Sequence, residues 1–224
     1  MAPPTLLVGD LYRSGATASI VAKALIARRA TNGVHARDDQ DSDAHMTKVF
    51  IAGSRKLSRL SPEVKARIDT MIEKGFTILV GDANGADKAV QRYLADRDYR
   101  NVLVHCMRAN CRNNVGGWPT REVTAPQGAR GFAYYAIKDQ VIADAAEYGL
   151  MLWDGETKGT LNNVVNMIRQ DKPVVVYLAP KNVFKNVRSW RDVDELLSNC
   201  ERASVQRFER ELGIEHVAHR SPFS

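Results

Sequence analysis

The chain has 224 residues, 26% of them charged and 44% hydrophobic, which is enough to bury a full core in one main domain with appendages. Its 32 basic residues against 26 acidic ones leave a formal charge of +6 and a pI near 9.3, a balance that favours anionic partners such as nucleotides, nucleic acid or a lipid surface without requiring any of them. No apolar run reaches the roughly eighteen residues needed to cross a bilayer, so no membrane partner is expected. Three cysteines, an odd count without a small-scaffold framework, fit a reducing, cytoplasmic compartment better than secretion. His105, Cys106 and Cys111 lie close together, but a structural zinc site wants four ligands in paired short spacings and only Cys200 is left to help. No motif requires a metal, and no cofactor is expected.

Residues 1–45 differ in composition from the rest of the chain. Between Met1 and Arg37 there are five basic residues and one acidic residue, with several Ser, Thr and Ala, a composition that resembles an organelle-targeting segment. Met46 stands immediately before the first convincing strand, so an upstream start codon or residues introduced by cloning are the competing and preferred readings. The segment is set aside as an extension. Residues 46–180 form the expected domain and 181–224 a helical C-terminal tail.

From Lys48 onward, short apolar runs alternate with helical patterns, the signature of a parallel sheet covered by helices. The first strand is 48–53. Ser61-Pro62-Glu63 opens a helix with an N-cap serine and an N1 proline, and Gly75 closes it. A second strand at 77–82 is followed by a helix over about 86–95, and a third strand at 102–107 leads into a long irregular loop. A helix over 132–148, a strand at 150–154, a helix over 160–170 and a strand at 173–178 complete the domain. The tail adds helices near 190–197 and 204–212. The fold class is therefore α/β, a Rossmann-like, doubly wound parallel sheet of about five strands with helices on both faces. Ligands of such sheets bind beyond the carboxyl ends of the strands, where the strand order switches.

Three strand ends carry loops suited to phosphate. Gly53-Ser54-Arg55 offers a backbone approach, a hydroxyl and a guanidinium. The loop Gly81-Asp82-Ala83-Asn84-Gly85-Ala86-Asp87 can converge amide N–H groups on an anion and then start a helix, while Asp82 and Asp87 can accept hydrogen bonds from a ribose. Asp87 also suits the first turn of a helix on its own account. Asp154-Gly155-Glu156-Thr157-Lys158-Gly159-Thr160 places a carboxylate at a strand end and a lysine, a glycine and a hydroxyl at a helix start. It lacks the spacing of a P-loop.

The order Ile51-Ala-Gly-Ser-Arg55, Gly81-Asp-Ala-Asn-Gly-Ala-Asp87 and Trp153-Asp-Gly-Glu-Thr-Lys-Gly-Thr160 resembles the SLOG superfamily, and within it the YspA-like, cpYpsA-related branch. The resemblance covers residues 47 to about 180. Lys138-Asp139 is similar to the Arg-Asn or Arg-Asp pair that this branch carries before its fourth strand. The resemblance implies a Rossmann-like domain that binds a nucleotide, a nucleotide-derived signal or, in DNA-processing relatives, single-stranded DNA. It also implies a homo-oligomer paired through the helices flanking the sheet. The related phosphoribohydrolases carry Pro-Gly-Gly-x-Gly-Thr and then a catalytic glutamate. Here Asp154-Gly155 replaces the start of that motif and Asn163 stands at the glutamate position, as it does relative to the distantly similar nucleoside deoxyribosyltransferases.

The expected function is thus binding of a nucleotide or nucleotide-derived ligand, as a sensor or a weak hydrolase. The first alternative is an N-glycoside hydrolase, which would have to enlist Asp154, Asp82 or Glu156 because an amide cannot act as the missing carboxylate. The second is a single-stranded nucleic-acid-binding protein, prompted by Arg108, Arg112, Arg121 and Arg130 around Trp118, whose other role would be to anchor that loop.

Overall fold

The computed structural model describes residues 46–107 and 111–214. The expected extension over 1–45, and Arg108, lie outside them. Five apolar segments form parallel strands: β1 (Lys48–Gly53), β2 (Thr77–Gly81), β3 (Val102–Met107), β5 (Tyr148–Trp153) and β6 (Val174–Leu178). Their interiors are apolar on consecutive residues rather than alternate ones, as in Val49, Phe50 and Ile51, because both faces of the sheet are covered. Between them run α1 (Pro62–Glu73), α2 (Ala86–Asp96), α3 (Gly131–Ala145) and α4 (Lys158–Ile168). The start of α1 is fixed by Ser61, whose hydroxyl accepts the amide of Val64, and by Pro62 in the first turn.

Two strands were not expected, and the sheet has seven rather than about five. The strand β4 (Thr120–Val123) lies inside the segment read as an irregular loop and pairs in parallel with β3 at one edge. Its sequence Thr-Arg-Glu-Val carries two charges and is mostly exposed, as edge strands often are, so it gives no apolar signal. The strand β7 (Val183–Val187) lies in the segment read as a helical tail. A short 3-10 turn over Ala179–Lys181, closed by Asn182 at φ +50, folds it back antiparallel onto β6. The expected helix over 132–148 also ends earlier, at Ala145, because Ala146 turns extended and Tyr148 already pairs with β1.

The strand order is β4-β3-β2-β1-β5-β6-β7. The chain moves outward from β1 to β4, then returns across the sheet to place β5 on the other side of β1. That makes the β1/β5 junction the switch point, and the carboxyl ends of both strands open there. On one face Val49, Ile51 and Leu150 pack with Val64, Ile68, Val90 and Leu94 of α1 and α2. On the other, Phe50, Met151 and Trp153 pack with α3, α4 and the two C-terminal helices α5 (Trp190–Leu197) and α6 (Arg202–Leu212). A capping box between Ser189 and Asp192 starts α5. Phe208 of α6 is fully buried, with its ring 6.0 Å from that of Trp153.

The C-terminal helices therefore complete the core of the sheet's second face. Phe208→Ala is expected to lose about 3–5 kcal/mol of stability through the cavity it leaves, read by urea denaturation of the full chain. A loss below about 1 kcal/mol, the scale of a surface change, would mean that α6 is not part of the core.

Candidate functional site

The loops after β1 and β5 are tied to each other before they can touch a ligand. Gly53 packs so tightly against β5 and α2 that a Cβ there would overlap the Leu152 carbonyl and lie 2.8 Å from the Cβ of Ala86. The Ser54 amide donates to the Leu152 carbonyl at 2.9 Å. Its hydroxyl donates to Asp154 Oδ2 at 2.7 Å and lies 2.8 Å from Thr157 Oγ1. Asp154 also accepts from Thr157 Oγ1 at 2.6 Å and from the amides of Thr157 and Glu156 at 2.8 and 3.1 Å. Burial alone would raise the pKa of this carboxylate, but the hydrogen bonds from Thr157 and Ser54 outweigh it and hold it below the usual range.

The second loop is joined to the first in the same way. The Ala86 amide donates to the Ser54 carbonyl at 3.1 Å, and Gly85, at φ +85, faces the backbone of Arg55 so closely that no Cβ fits. Asp82 is engaged by Arg112, whose Nη2 and Nε donate to its two oxygens at 2.7 and 3.1 Å and whose amide adds a third bond at 3.2 Å. Burial pushes the Asp82 pKa up, and these bonds bring it down below its ordinary value. Asn84 accepts from Asn113 Nδ2 at 3.1 Å. Gly155, at φ +78, makes the turn beyond β5, and Glu156 pairs with Lys56 on the exposed surface at 2.5 Å.

A cleft of about 470 Å³ lies beside this knot, at the switch point. Of the residues anticipated from sequence, Gly53, Arg55, Gly81, Asp87, Lys138, Lys158, Gly159 and Thr160 line it, whereas Ser54, Asp82, Asn84, Gly85, Ala86, Asp154, Gly155 and Glu156 do not. Ser54, Asp82 and Asp154 are spent on the protein's own groups. On one wall, α4 starts at Lys158. At Gly159 a Cβ would meet nothing within 4 Å, so packing does not demand the glycine, and its backbone is left open to the cleft. On the same helix Thr160 Oγ1 and Asn163 Oδ1 are buried without a hydrogen-bond partner. Burying a polar group unpaired costs about 1–3 kcal/mol.

Cations surround that opening. Lys158 Nζ lies 4.1 Å above the ring of Phe132 and pairs with Glu211 of α6 at 2.6 Å. The guanidinium groups of Arg55 and Arg112 lie 5.4 and 4.6 Å from the ring centre of Tyr135. Arg55 has no carboxylate partner among the described residues. Phe132, Tyr135 and Glu211 were not anticipated as parts of this site, and Arg112 only for the nucleic-acid alternative. The only signal for the aromatics is their position in the first turns of α3, and nothing local places Arg112 or Glu211 near loops that precede them by tens of residues.

The cleft floor holds a buried ionic cluster. A Cβ on Gly81 would lie 2.5 Å from Asp87 Oδ2 and 2.6 Å from Lys138 Nζ, so the missing side chain makes room for both. Lys138 is 3% exposed, and its Nζ donates to Asp139 Oδ1 at 2.7 Å. Burial would lower the lysine pKa, but the carboxylates of Asp139 and Asp87 outweigh it and hold the ammonium charged. Asp87 accepts the amide of Ala83 at 3.1 Å. Burial raises its pKa to about 6 against the pull of Lys138, with Asp139 and Asp82 adding to the rise. Beside this cluster His105 is buried with both ring nitrogens unpartnered, and burial together with Lys138 and Arg121 depresses its pKa to about 4.

On the far side of Arg112, Cys106 and Cys111 form a disulfide with a Cα–Cα distance of 5.0 Å, a pairing not expected from the cysteine count. Among the described residues no group of three or more His, Cys, Asp or Glu side chains could hold a metal. Trp118 is 6% exposed, and its indole N–H donates to the Tyr99 carbonyl at 2.8 Å. No described helix is long and apolar enough to cross a membrane.

Sheet order and cleft together define a doubly wound α/β protein with its candidate site at the switch point. No protein-family model matches the chain, and no curated protein matches it. Solved structures similar to it include DNA processing protein A from Helicobacter pylori, described for its single-stranded DNA binding mode. The two chains share 15% identity at a TM-score of 0.46, over 74% of this chain and 80% of that one. DNA processing protein A from Streptococcus pneumoniae is similar at 15% identity and a TM-score of 0.45, with 70% of this chain matched to 62% of that chain's length.

The raised pKa of Asp87 sets a sign for stability against pH. A carboxyl whose folded pKa of about 6 exceeds its unfolded value contributes stability that is complete at low pH and lost as pH rises through 6. Asp87→Asn is therefore expected to gain stability relative to the parent between pH 5 and pH 8, measured by urea denaturation at both. An unchanged difference across that interval would refute the ionised, desolvated state of Asp87.

Proposed function

We propose that the protein binds a nucleotide or nucleotide-derived small molecule in the switch-point cleft, with the ligand's phosphate at the start of α4. The observation that carries this reading is the pair of buried polar side chains, Thr160 and Asn163, whose Oγ1 and Oδ1 have no partner, beside the open backbone of Gly159. The Asn163 side chain can turn its amide N–H to an anion, and the Thr160 hydroxyl can donate. The helix N-terminus and Lys158 supply positive potential, and Arg55 adds a cation without a carboxylate partner among the described residues. The aromatic rings of Phe132 and Tyr135 give a base an apolar wall. A volume of about 470 Å³ suits one small ligand. The resemblance of the three loops to SLOG domains, and to their YspA-like branch, supports the same reading. The Asn at position 163, where the related hydrolases have glutamate, favours sensing over hydrolysis.

Single-stranded nucleic acid is the second reading, favoured by the cation–aromatic contacts at the rim, where Arg55 and Arg112 flank Tyr135. Binding of that kind weakens steeply with salt and tolerates many sequences.

Titration calorimetry of adenosine 5′-monophosphate into the full chain tests the main reading. Lys158→Ala and Asn163→Ala are each expected to weaken binding roughly 10- to 100-fold, the loss of one charge-assisted hydrogen bond worth about 1.5–3 kcal/mol. Unchanged affinity in folded Lys158→Ala and Arg55→Ala variants would sink the reading. Because Glu211 occupies the Lys158 ammonium, Glu211→Gln is expected to tighten nucleotide binding. Weaker binding in that variant would instead make Glu211 part of the site. A strand that binds tightly at low salt while mononucleotides do not would replace the main reading with the second.

A further inference from the structure

The cleft is chemically two-ended. One end, at the start of α4, presents N–H groups, a lysine and two unpartnered polar side chains. The other end presents a carboxylate. Of the strand-end acids, Asp82 is held by the Arg112 fork and Asp154 by two hydroxyls and two amides. Asp87 differs from both. It accepts one backbone amide through Oδ2, faces the cleft, and feels the charge of Lys138, whose ammonium is bonded to Asp139. Gly81 leaves the space into which both Asp87 and Lys138 reach, so a carboxylate and an ammonium lie near each other at the cleft floor.

We infer that Asp87 is the specificity-determining residue of the site and that it accepts hydrogen bonds from the vicinal hydroxyls of a ribose whose 5′-phosphate sits at the start of α4. The inference rests on the nucleotide reading and narrows it to ribose-bearing ligands. A carboxylate is an acceptor without a donor of its own when ionised, so it selects a donor group on the ligand. An ammonium on the ligand would meet Lys138 and Arg112, which face the same space. A hydroxyl donates without bringing a charge, and two adjacent hydroxyls can use both oxygens of one carboxylate. Asp87 is not offered as a site by its acidity alone. The buried, unpartnered Thr160 Oγ1 and Asn163 Oδ1 in the same cleft point to a ligand independently. The elevated pKa of Asp87 fits the assignment, since a desolvated carboxylate gains more from each hydrogen bond than one already in water.

The test compares adenosine 5′-monophosphate with its 2′-deoxy counterpart by titration calorimetry on the full chain at pH 8, where Asp87 is ionised. The parent is expected to prefer the ribonucleotide by roughly tenfold or more, the scale of one hydrogen bond to a charged acceptor. Asp87→Asn is expected to reduce that preference severalfold, with the larger loss of affinity on the ribonucleotide. Lys158→Ala is expected to weaken both nucleotides equally and leave the preference intact. Equal affinity of the parent for the two nucleotides, or a preference that survives in folded Asp87→Asn and Asp87→Ala, overturns the ribose assignment while the nucleotide reading stands. Failure of either nucleotide to bind the parent overturns both.

Discussion

The end of β1 cannot move independently of the end of β5. The Ser54 amide is bonded to the Leu152 carbonyl and its hydroxyl to Asp154, Thr157 closes the triangle, and Ala86 reaches back to the Ser54 carbonyl. Each of these groups is buried or half-buried, so each lost partner would leave a desolvated donor or acceptor. Three loops from three strands are thereby fixed as one rigid rim, and the cleft takes its shape from them. Precision of that kind is what a site needs if its first contacts are to be placed within a fraction of an ångström.

Against this rim the protein sets groups whose own needs are unmet. Thr160 and Asn163 lack partners, Arg55 has no acid among the described residues, and Lys158 is satisfied by a glutamate borrowed from the last described helix. The ionic floor of Asp87, Lys138 and Asp139 is costly in a buried setting, because the desolvation of charges competes with their mutual attraction. Such arrangements are common where chemistry or recognition occurs, since perturbed carboxylates and orphaned polar atoms are tolerated where a ligand completes them.

Much of the fold was legible because its signals are local. The apolar runs of β1, β2, β3, β5 and β6, the Ser61-Pro62 start of α1 and the stripe of Phe208 and Leu212 all show in short windows of sequence. The edge strands were not legible, because Thr120–Val123 is mostly exposed and Val183–Val187 is short and interrupted by Lys185 and Asn186, so neither makes an apolar run. At the site, the three loops singled out in the sequence come together at one sheet edge, but several of their side chains turn to the protein's own groups. Gly53 and Gly85 suggest room for a phosphate, whereas the chain uses that room for its own backbone. Ser54, Asp82 and Asp154 look available until their partners are known, and those partners stand up to about 100 residues away. Glycine and carboxylate types signal close approach and hydrogen bonding. They do not say to what.

The Lys158–Glu211 pair has a consequence for the order in which the molecule is made. Lys158 opens α4, but its acidic partner lies on α6, and α6 is anchored by Phe208 beneath Trp153 and by the bond from Arg169 to the Leu212 carbonyl. β1 must likewise wait for β5, about 100 residues later, before the knot at its end can form. In a chain emerging from the ribosome N-terminus first, β1 to β3 with α1 and α2 are made long before either event. The cleft, whose rim needs β5 and whose wall needs α4, is thus a late product of synthesis.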